Sequence, residues 1–516
     1  MKTQEASASG VEALIDALEG VRNQLREQAA SWQPWSPDGV SDRDASARNL
    51  LQYLALRRHD LRPLQDPLAR LGLSSLGRCE DHVQASVDAV LTALGALAGR
   101  PPADRPGGAP VEFEMSRRIL GERTRALLGT ARPHRPTRIM VTMPTEAAGD
   151  PALIRRLLGA GMDCMRINCA HDGASAWAAM VDNLRRAEHE TGASARVVVD
   201  LPGPKLRTAG LDDRAQHDHK GAYLRLGVGD HLRITLGTRP DPVDTARSTA
   251  LQIGCVLPEA FLATRPGHHV WLDDGKLGGI VTSADPGMID LRVTASRPGG
   301  AKLRSGRGIN LPDARLDIDL LGGHSREALQ FAAAHADIVG LSFVSRARDV
   351  ERVGHYLDRC AAPDTGMLLK IETRRAFEHL PGMLLATLGS GRPGGVMIAR
   401  GDLAVECGYE RLAEVQEEIL WLCQAAHLPV VWATEVLDRL ARTGRPSRSE
   451  ITDAAMGARA ECVMLNKGPR VVEAITVLDD ILRRMEKHQH KKQPLLPRLH
   501  VSEYEHVLRK RPPEEA

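Results

Sequence analysis

From Thr137 onward the chain repeats one unit, and that repetition limits the fold more than any other feature. Eight short apolar runs stand at 138–142 (RIMVT), 163–167 (DCMRI), 196–200 (RVVVD), 337–343 (DIVGLSF), 367–371 (MLLKI), 395–399 (GVMIA), 429–433 (PVVWA) and 462–466 (CVMLN). Most are separated by roughly the length of a strand plus a returning amphipathic helix. Near-continuous apolar strands that alternate with helices predict a parallel sheet covered on both faces. Eight such units predict an α/β chain built as a closed (β/α)8 barrel. A doubly wound open sheet is the competing architecture.

Two regions depart from this rhythm. Between Asp200 and Asp337 helical periodicity is weak, and short alternating segments such as YLRLGVGDHLRITLG, HHVWLDDGKLGGIVTS and MIDLRVTAS lie between Gly, Pro and Asp residues. This pattern predicts a small antiparallel β-domain inserted after the third barrel strand. Before Thr137 the pattern is helical: Val11, Leu14, Ile15, Leu18, Val21 and Leu25 recur at three-four spacing. Further apolar stretches run through Leu50–Leu68 and Val83–Leu97, a Pro/Gly-rich break covers 100–110, and another helix is expected at Glu114–Leu128. The expected division is 1–135 as a helical region, 136–208 and 307–487 as the barrel, 209–306 as the insert, and 488–516 as a loose basic tail. The helical region is expected to pack on the barrel or on a second subunit.

Composition narrows the function. The formal net charge of the 516 residues is +2, so no global field argues for nucleic acid or an acidic membrane. No apolar run approaches the roughly 20 residues that span a bilayer. The eight cysteines include no CxxC pair, which predicts reduced thiols and a cytoplasmic setting. Of the 68 basic residues only 11 are lysines, so a lysine at a strand end points to a need for an ammonium group.

Active sites of such barrels lie at the C-terminal ends of the strands. Those ends carry Thr142; Arg166, Asn168 and His171; Asp200; Ser342; Lys370 and Glu372; Arg400 and Asp402; Thr434; and Asn466 and Lys467. Glu372 and Asp402 follow adjacent strands and form a hard oxygen pair suited to Mg²⁺ or Mn²⁺. Lys370, two residues before Glu372, projects to the same face and suits charge building up on a phosphoryl group or an enolate. A buried Lys–Glu ion pair without metal is the plainer alternative on these two motifs.

The segment from Thr137 to about Glu486 resembles pyruvate kinase through GAGMDCMRINCAHDG, VVVDLPGPKLRTAG, WLDDGKL, GINLPDARLDI, VGLSFVSRARDV, LLKIETRRAF, VMIARGDLAVECG, LPVVWATEVLDRL and PSRSEITDAA, in family order. The resemblance implies a metal-dependent transfer of phosphate from phosphoenolpyruvate to ADP, giving pyruvate and ATP. It implies Glu372 and Asp402 as metal ligands, and Lys370, Arg166 and Thr434 as catalytic residues. Gly401 and Asp402, with Arg166 and Thr434, would bind the substrate. His171, Arg166 and Arg207 would face the nucleotide, and Asp273 or Asp274 in the insert would help close the site as a lid.

The chain also departs from the family. In the monovalent-cation region Asn168 and Asp200 remain, but Ala170 and Leu201 replace oxygen ligands, and Lys205 stands where a lysine marks members that work without potassium. The usual arginine of the first strand's turn is Ala148, and the eighth strand's turn reads LNKGPR (465–470). No C-terminal regulatory domain is expected. Two other readings therefore stand beside a potassium-independent pyruvate kinase: another metal-dependent enolpyruvate or 2-oxo acid enzyme with altered nucleotide use, and a non-catalytic metabolite-binding scaffold. A homo-oligomer is expected, as a dimer rather than a tetramer.

Overall fold

The computed structural model describes residues 2–35, 41–101, 108–203, 205–240, 250–491 and 493–494. The expected tail at 488–516 lies mostly outside them.

The barrel is closed and parallel. Its strands are Arg138–Thr142, Cys164–Asn168, Arg196–Asp200, Ile338–Leu341, Gly366–Ile371, Gly394–Ala399, Val430–Ala433 and Cys462–Leu465, numbered first to eighth here. Each pairs with its chain neighbours, and the first closes on the eighth. All eight expected runs are strands, with ends shifted by no more than two residues. The register fixes which exits touch. Thr142 lies opposite Arg166, Asn168 opposite Asp200, and Asp200 opposite Gly340.

The helical region packs on the barrel. Helices α1 (Lys2–Ala30), α2 (Asp42–Leu56), α3 (Arg62–Arg70), α4 (Val83–Leu97) and α5 (Phe113–Leu128) precede the first strand. The expected apolar stretch 50–68 is broken in two, because Pro63 in the first turn of α3 fixes its backbone and brings no N–H. α1 packs against α2 and α4, and α2 against barrel helices Leu380–Gly389 and Leu412–Ala425. The last turn of α5 plugs the barrel floor. Leu127 and Leu128 share one buried cluster with Met140, Val198, Leu368, Met397, Val431 and Met464. Gly366 and Gly395 leave room for it: a Cβ there would come within 2.6 and 2.7 Å of the Leu127 methyls.

Polar contacts seat this cap. Buried Asn49 donates to the Glu80 and Ala425 carbonyls at 2.7 and 2.9 Å and accepts from Val83 N at 2.9 Å. Arg123 donates to the Ala426 carbonyl at 2.9 Å. His427 Nε2 donates to the Asp81 carbonyl at 2.8 Å, and its Nδ1 lies 3.0 Å from Ser46 Oγ. Burial drives that imidazole down to a pKa of about 4, so the ring is neutral at pH 7.

The insert forms a seven-stranded sheet with a smaller three-stranded one, around its own core of Leu224, Ile234, Val270, Leu291 and others. It is not purely antiparallel. His231–Leu236 runs parallel to Leu251–Cys255, while the neighbouring pairs are antiparallel. The sheet also takes in Thr208 and Ile309–Asn310, just beyond the expected 209–306. Among the described residues no helix is long and apolar enough to cross a membrane.

Candidate functional site

The strand ends build one charged network at the C-terminal mouth. Lys370, on the fifth strand, sits at its centre, and its ammonium lies 3.0 Å from Glu372, 3.2 Å from Asp200 and 2.7 Å from Ser342 Oγ. Arg166 adds a second cation to Asp200, at 2.6 and 2.8 Å, and donates to Thr142 Oγ1 at 2.8 Å. Ser342 passes the chain of bonds to the Leu201 carbonyl at 2.7 Å. The Phe343 N–H holds the second oxygen of Glu372 at 2.7 Å.

Burial sharpens these charges. Asp200 is fully buried, which works against its charge, but Arg166 and Lys370 outweigh that and hold its carboxyl below the ordinary value. Burial works against the Lys370 ammonium too, and Asp200 and Glu372 reverse it, so this amine is held more basic than usual. Burial pushes the Glu372 carboxyl up, Lys370 opposes this, and the charge of Asp402 adds to it. Glu372 and Asp402 thus feel each other as like charges across the mouth.

The sixth-strand exit turns directly into the helix Arg400–Cys407, which carries Asp402 in its first turn. Gly401 N donates to Thr434 Oγ1 at 3.0 Å, and Thr434 in turn donates to the Ala433 carbonyl at 2.7 Å. Thr434 has φ +66°, a left-handed backbone that a β-branched residue rarely adopts. Arg400 braces that turn through the Ala433 carbonyl at 2.7 Å and through Asp453 at 2.8 Å.

Lys205 enters from the hinge of the insert. Its ammonium pairs with Asp402 at 2.6 Å and lies 4.0 Å from Asp274. It is thus placed on the Asp402 carboxylate, not beside Asp200. Asn168 is half-buried and accepts from Ala170 N at 3.2 Å. His171 is exposed at the second-strand exit, and burial together with the charges of Lys467, Arg207 and Arg166 keeps its imidazole less basic than usual. Arg207 is exposed at the hinge and donates to the Gly306 carbonyl at 3.0 Å. In the insert, Asp273 pairs with Lys276 at 3.1 Å.

Two supporting elements escaped the reading of the sequence. Gly340 leaves the space that Asp200 fills: a Cβ there would lie 2.0 Å from Asp200 Oδ1. Only the register of the third and fourth strands could have shown this. The second is Glu406, four residues past Asp402, which accepts from Asn310 at 3.0 Å. Burial raises its carboxyl to a pKa of about 7, with the Asn310 hydrogen bond opposing this and the Asp402 charge adding to it. That contact ties the insert's sheet to the Asp402 helix.

The donor set fits a hard divalent cation. Two carboxylates face the mouth, and among the described residues no thiol or imidazole joins them and the buried Asp200 Oδ1 beside Lys370 has no hydrogen-bond partner. Among the described residues no group of three or more His, Cys, Asp or Glu side chains forms a complete metal cage. A site of this kind leaves positions for substrate oxygens and water.

Residues 134–469 match the family model described as "Pyruvate kinase, barrel domain". A protein of Agrobacterium vitis named "Pyruvate kinase" is 31% identical over 69% of this chain and 71% of its own length. A "Pyruvate kinase" of Methylorubrum extorquens is 31% identical over 68% of this chain and 69% of its own. "Pyruvate kinase 1" of Trypanosoma brucei brucei is 28% identical, over 64% and 63%.

Proposed function

The chain belongs to the pyruvate kinase family, a family of phosphotransferases, and from that premise we propose that it converts phosphoenolpyruvate and ADP to pyruvate and ATP. The observation that carries the proposal is the Lys370 ammonium, buried and held between Asp200, Glu372 and Ser342. A fixed cation in a water-poor site stabilises charge that develops on a transferring phosphoryl group and on the enolate left behind.

Each neighbour has a part in this reading. Arg166, clamped on Asp200 and Thr142, presents its remaining guanidinium edge to the transferring phosphate. Glu372 and Asp402 would hold Mg²⁺ or Mn²⁺, which when bound supplies charge neutralisation for the phosphoryl and carboxylate oxygens. Lys205 would have to leave Asp402 to free that carboxylate. The N-terminal N–H groups of the Arg400–Cys407 helix, at Gly401 and Asp402, favour the substrate carboxylate. Gly401 N exchanges its bond to Thr434 for one to substrate, and the released Thr434 hydroxyl is placed to pass a proton to the enolate carbon. His171 and Arg207 face the nucleotide.

Potassium is not required in this reading. Ala170 and Leu201 stand where two cation ligands are expected, and Lys205, seated on Asp402, would bring a covalent ammonium toward that region once it leaves this carboxylate to the metal. The eight cysteines would stay reduced in the cytoplasm, and a dimer through the barrel is the assembly we propose.

ATP formation from phosphoenolpyruvate and ADP, followed with Mg²⁺ or Mn²⁺ and again after chelation, tests the proposal. Turnover that disappears on chelation is expected. Absence of ATP at any metal concentration would overturn it. Exchange of pyruvate methyl protons with solvent, without ATP, would then favour a 2-oxo acid enzyme with altered nucleotide use, a reading favoured by the cation-free turn after the first strand.

A further inference from the structure

The helical cap and the barrel floor enclose a cavity of about 640 Å³, at the opposite end of the strands from the charged mouth. That is the size of a small-molecule site. One wall is α5 with the turn Glu80–His82, which lies ahead of the stretch 134–469 that matches the family model. The other is the start of the first strand, the turn before the eighth strand and the last barrel helix, Val471–Glu486.

Most charges on these walls are paired. Lys491 pairs with Glu461, and Arg459 clamps Glu417 through both terminal nitrogens. Gln424 donates to Asp81 at 3.3 Å, and His82 Nε2 lies 3.5 Å from the same oxygen. Arg117 and Glu486 are exposed.

Arg138 is the buried exception. It is 7% exposed, lines the cavity and has no carboxylate within ion-pair distance among the described residues. Its guanidinium donates to the Gly129 carbonyl at 2.7 and 3.2 Å and to the Pro136 carbonyl at 2.7 Å. A guanidinium has five N–H groups, so two are left over. Burial holds it less basic than an ordinary arginine, and the charges of Asp163 and Glu461 offset only part of that. A buried cation without an anion is costly, and a carboxylate matches the guanidinium fork. On the same wall, Arg459 Nε is buried with no hydrogen-bond partner among the described residues.

The rest of the lining is largely apolar. Phe113, Leu120, Pro136 and Leu482 contribute to it, and Phe113 is left 43% exposed although its ring lies 4.3 Å from that of His82. One unpaired buried cation matches one negative charge, and an open aromatic matches an apolar body. We infer that this cavity binds a monocarboxylate with an apolar body, its carboxylate on Arg138 and its body against Phe113 and Leu120. The site is independent of the phosphotransferase reading. A ligand there touches cap and barrel together, so its binding stabilises their union.

Titration calorimetry on the full chain tests this, with hexanoate and benzoate as probes. Both are expected to bind saturably. Acetate lacks the body and benzyl alcohol lacks the charge, and each should bind about tenfold more weakly or worse. Gly121→Trp fills the cavity from α5, because a Cβ at Gly121 meets no atom within 4 Å. It should weaken benzoate binding about tenfold or more and leave ATP formation unchanged. Arg138→Met should bind benzoate and benzyl alcohol alike, and if that variant fails to fold, Gly121→Trp still decides. No saturable binding of hexanoate or benzoate to the wild type would overturn the site, as would an unchanged affinity in Gly121→Trp. A preference for benzoate over benzyl alcohol that survives in Arg138→Met would overturn the role of Arg138. None of these results bears on the phosphotransferase reading.

Discussion

The two ends of the barrel obey opposite rules. At the floor, Leu127 and Leu128 fill an apolar interior, and two buried polar groups of the cap are paired: Asn49 makes three hydrogen bonds, and His427 is kept neutral between Ser46 and Asp81. At the mouth, charges are buried and Asp200 Oδ1 has no hydrogen-bond partner among the described residues; left-handed backbones cluster there at Phe343, Thr434 and Glu435, against His427 at the floor. Unsatisfied groups and backbone strain lower stability and persist where the surrounding structure forces them. The contrast teaches that one fold divides its labour, with rigidity built at the floor and reactivity held at the mouth.

Substitutions can break or sharpen this contrast. The largest effect is expected at Lys370. Lys370→Met should lower turnover by about 10³-fold, the scale of losing a preorganised charge in a dry site. Its metal affinity should stay largely intact, and an unchanged rate would remove Lys370 from the chemistry. Leu127→Ala at the opposite end should do the reverse. A buried leucine truncated at a tight site costs about 2–5 kcal/mol, read from chemical denaturation, with turnover per folded molecule preserved.

Asn49→Ala comes next in size. It removes the hydrogen bonds to the Glu80 and Ala425 carbonyls and from the Val83 N–H, at a cost of about 1–3 kcal/mol and again without a change in KM. At neutral pH the smallest effect is one of pH dependence, because it develops only as the solution is acidified. The folded pKa of His427 lies at about 4, below the value of about 6.5 expected for an unfolded chain. The unfolded state therefore binds the extra proton between these values, and stability is fully present above about pH 6.5 and falls as pH drops toward 4. His427→Gln should flatten that part of the stability profile, measured as the unfolding midpoint against pH. An identical profile in the variant would show that His427 does not set it.

Much of the barrel was legible because parallel strands buried on both faces leave continuous apolar runs in the sequence. The mouth was legible for a related reason: a charge placed immediately after such a run, as in Lys370, Glu372 and Asp402, has nowhere else to go. Other features depend on pairing between distant residues and leave no local pattern. Gly340 matters only because the register sets it against Asp200, and Asn49 only because α2 meets the helix that ends at Ala425. Alternation of polar and apolar residues marks strands in the insert but not their direction, which is why the parallel pair of His231–Leu236 with Leu251–Cys255 differs from the expected antiparallel order. Lys205 was visible as a rare lysine, but its seat on Asp402 needed the folded hinge.

In the function proposed above, the mouth runs phosphoryl transfer with its own ammonium groups in place of a potassium ion. The most direct measurement is the initial rate of ATP formation from phosphoenolpyruvate and ADP with saturating Mg²⁺, in potassium-free buffer and again after adding potassium. A clear rate that potassium leaves unchanged is the predicted result. A rate that appears only with potassium would contradict the role given to Lys205, and no rate under either condition would contradict the claim itself.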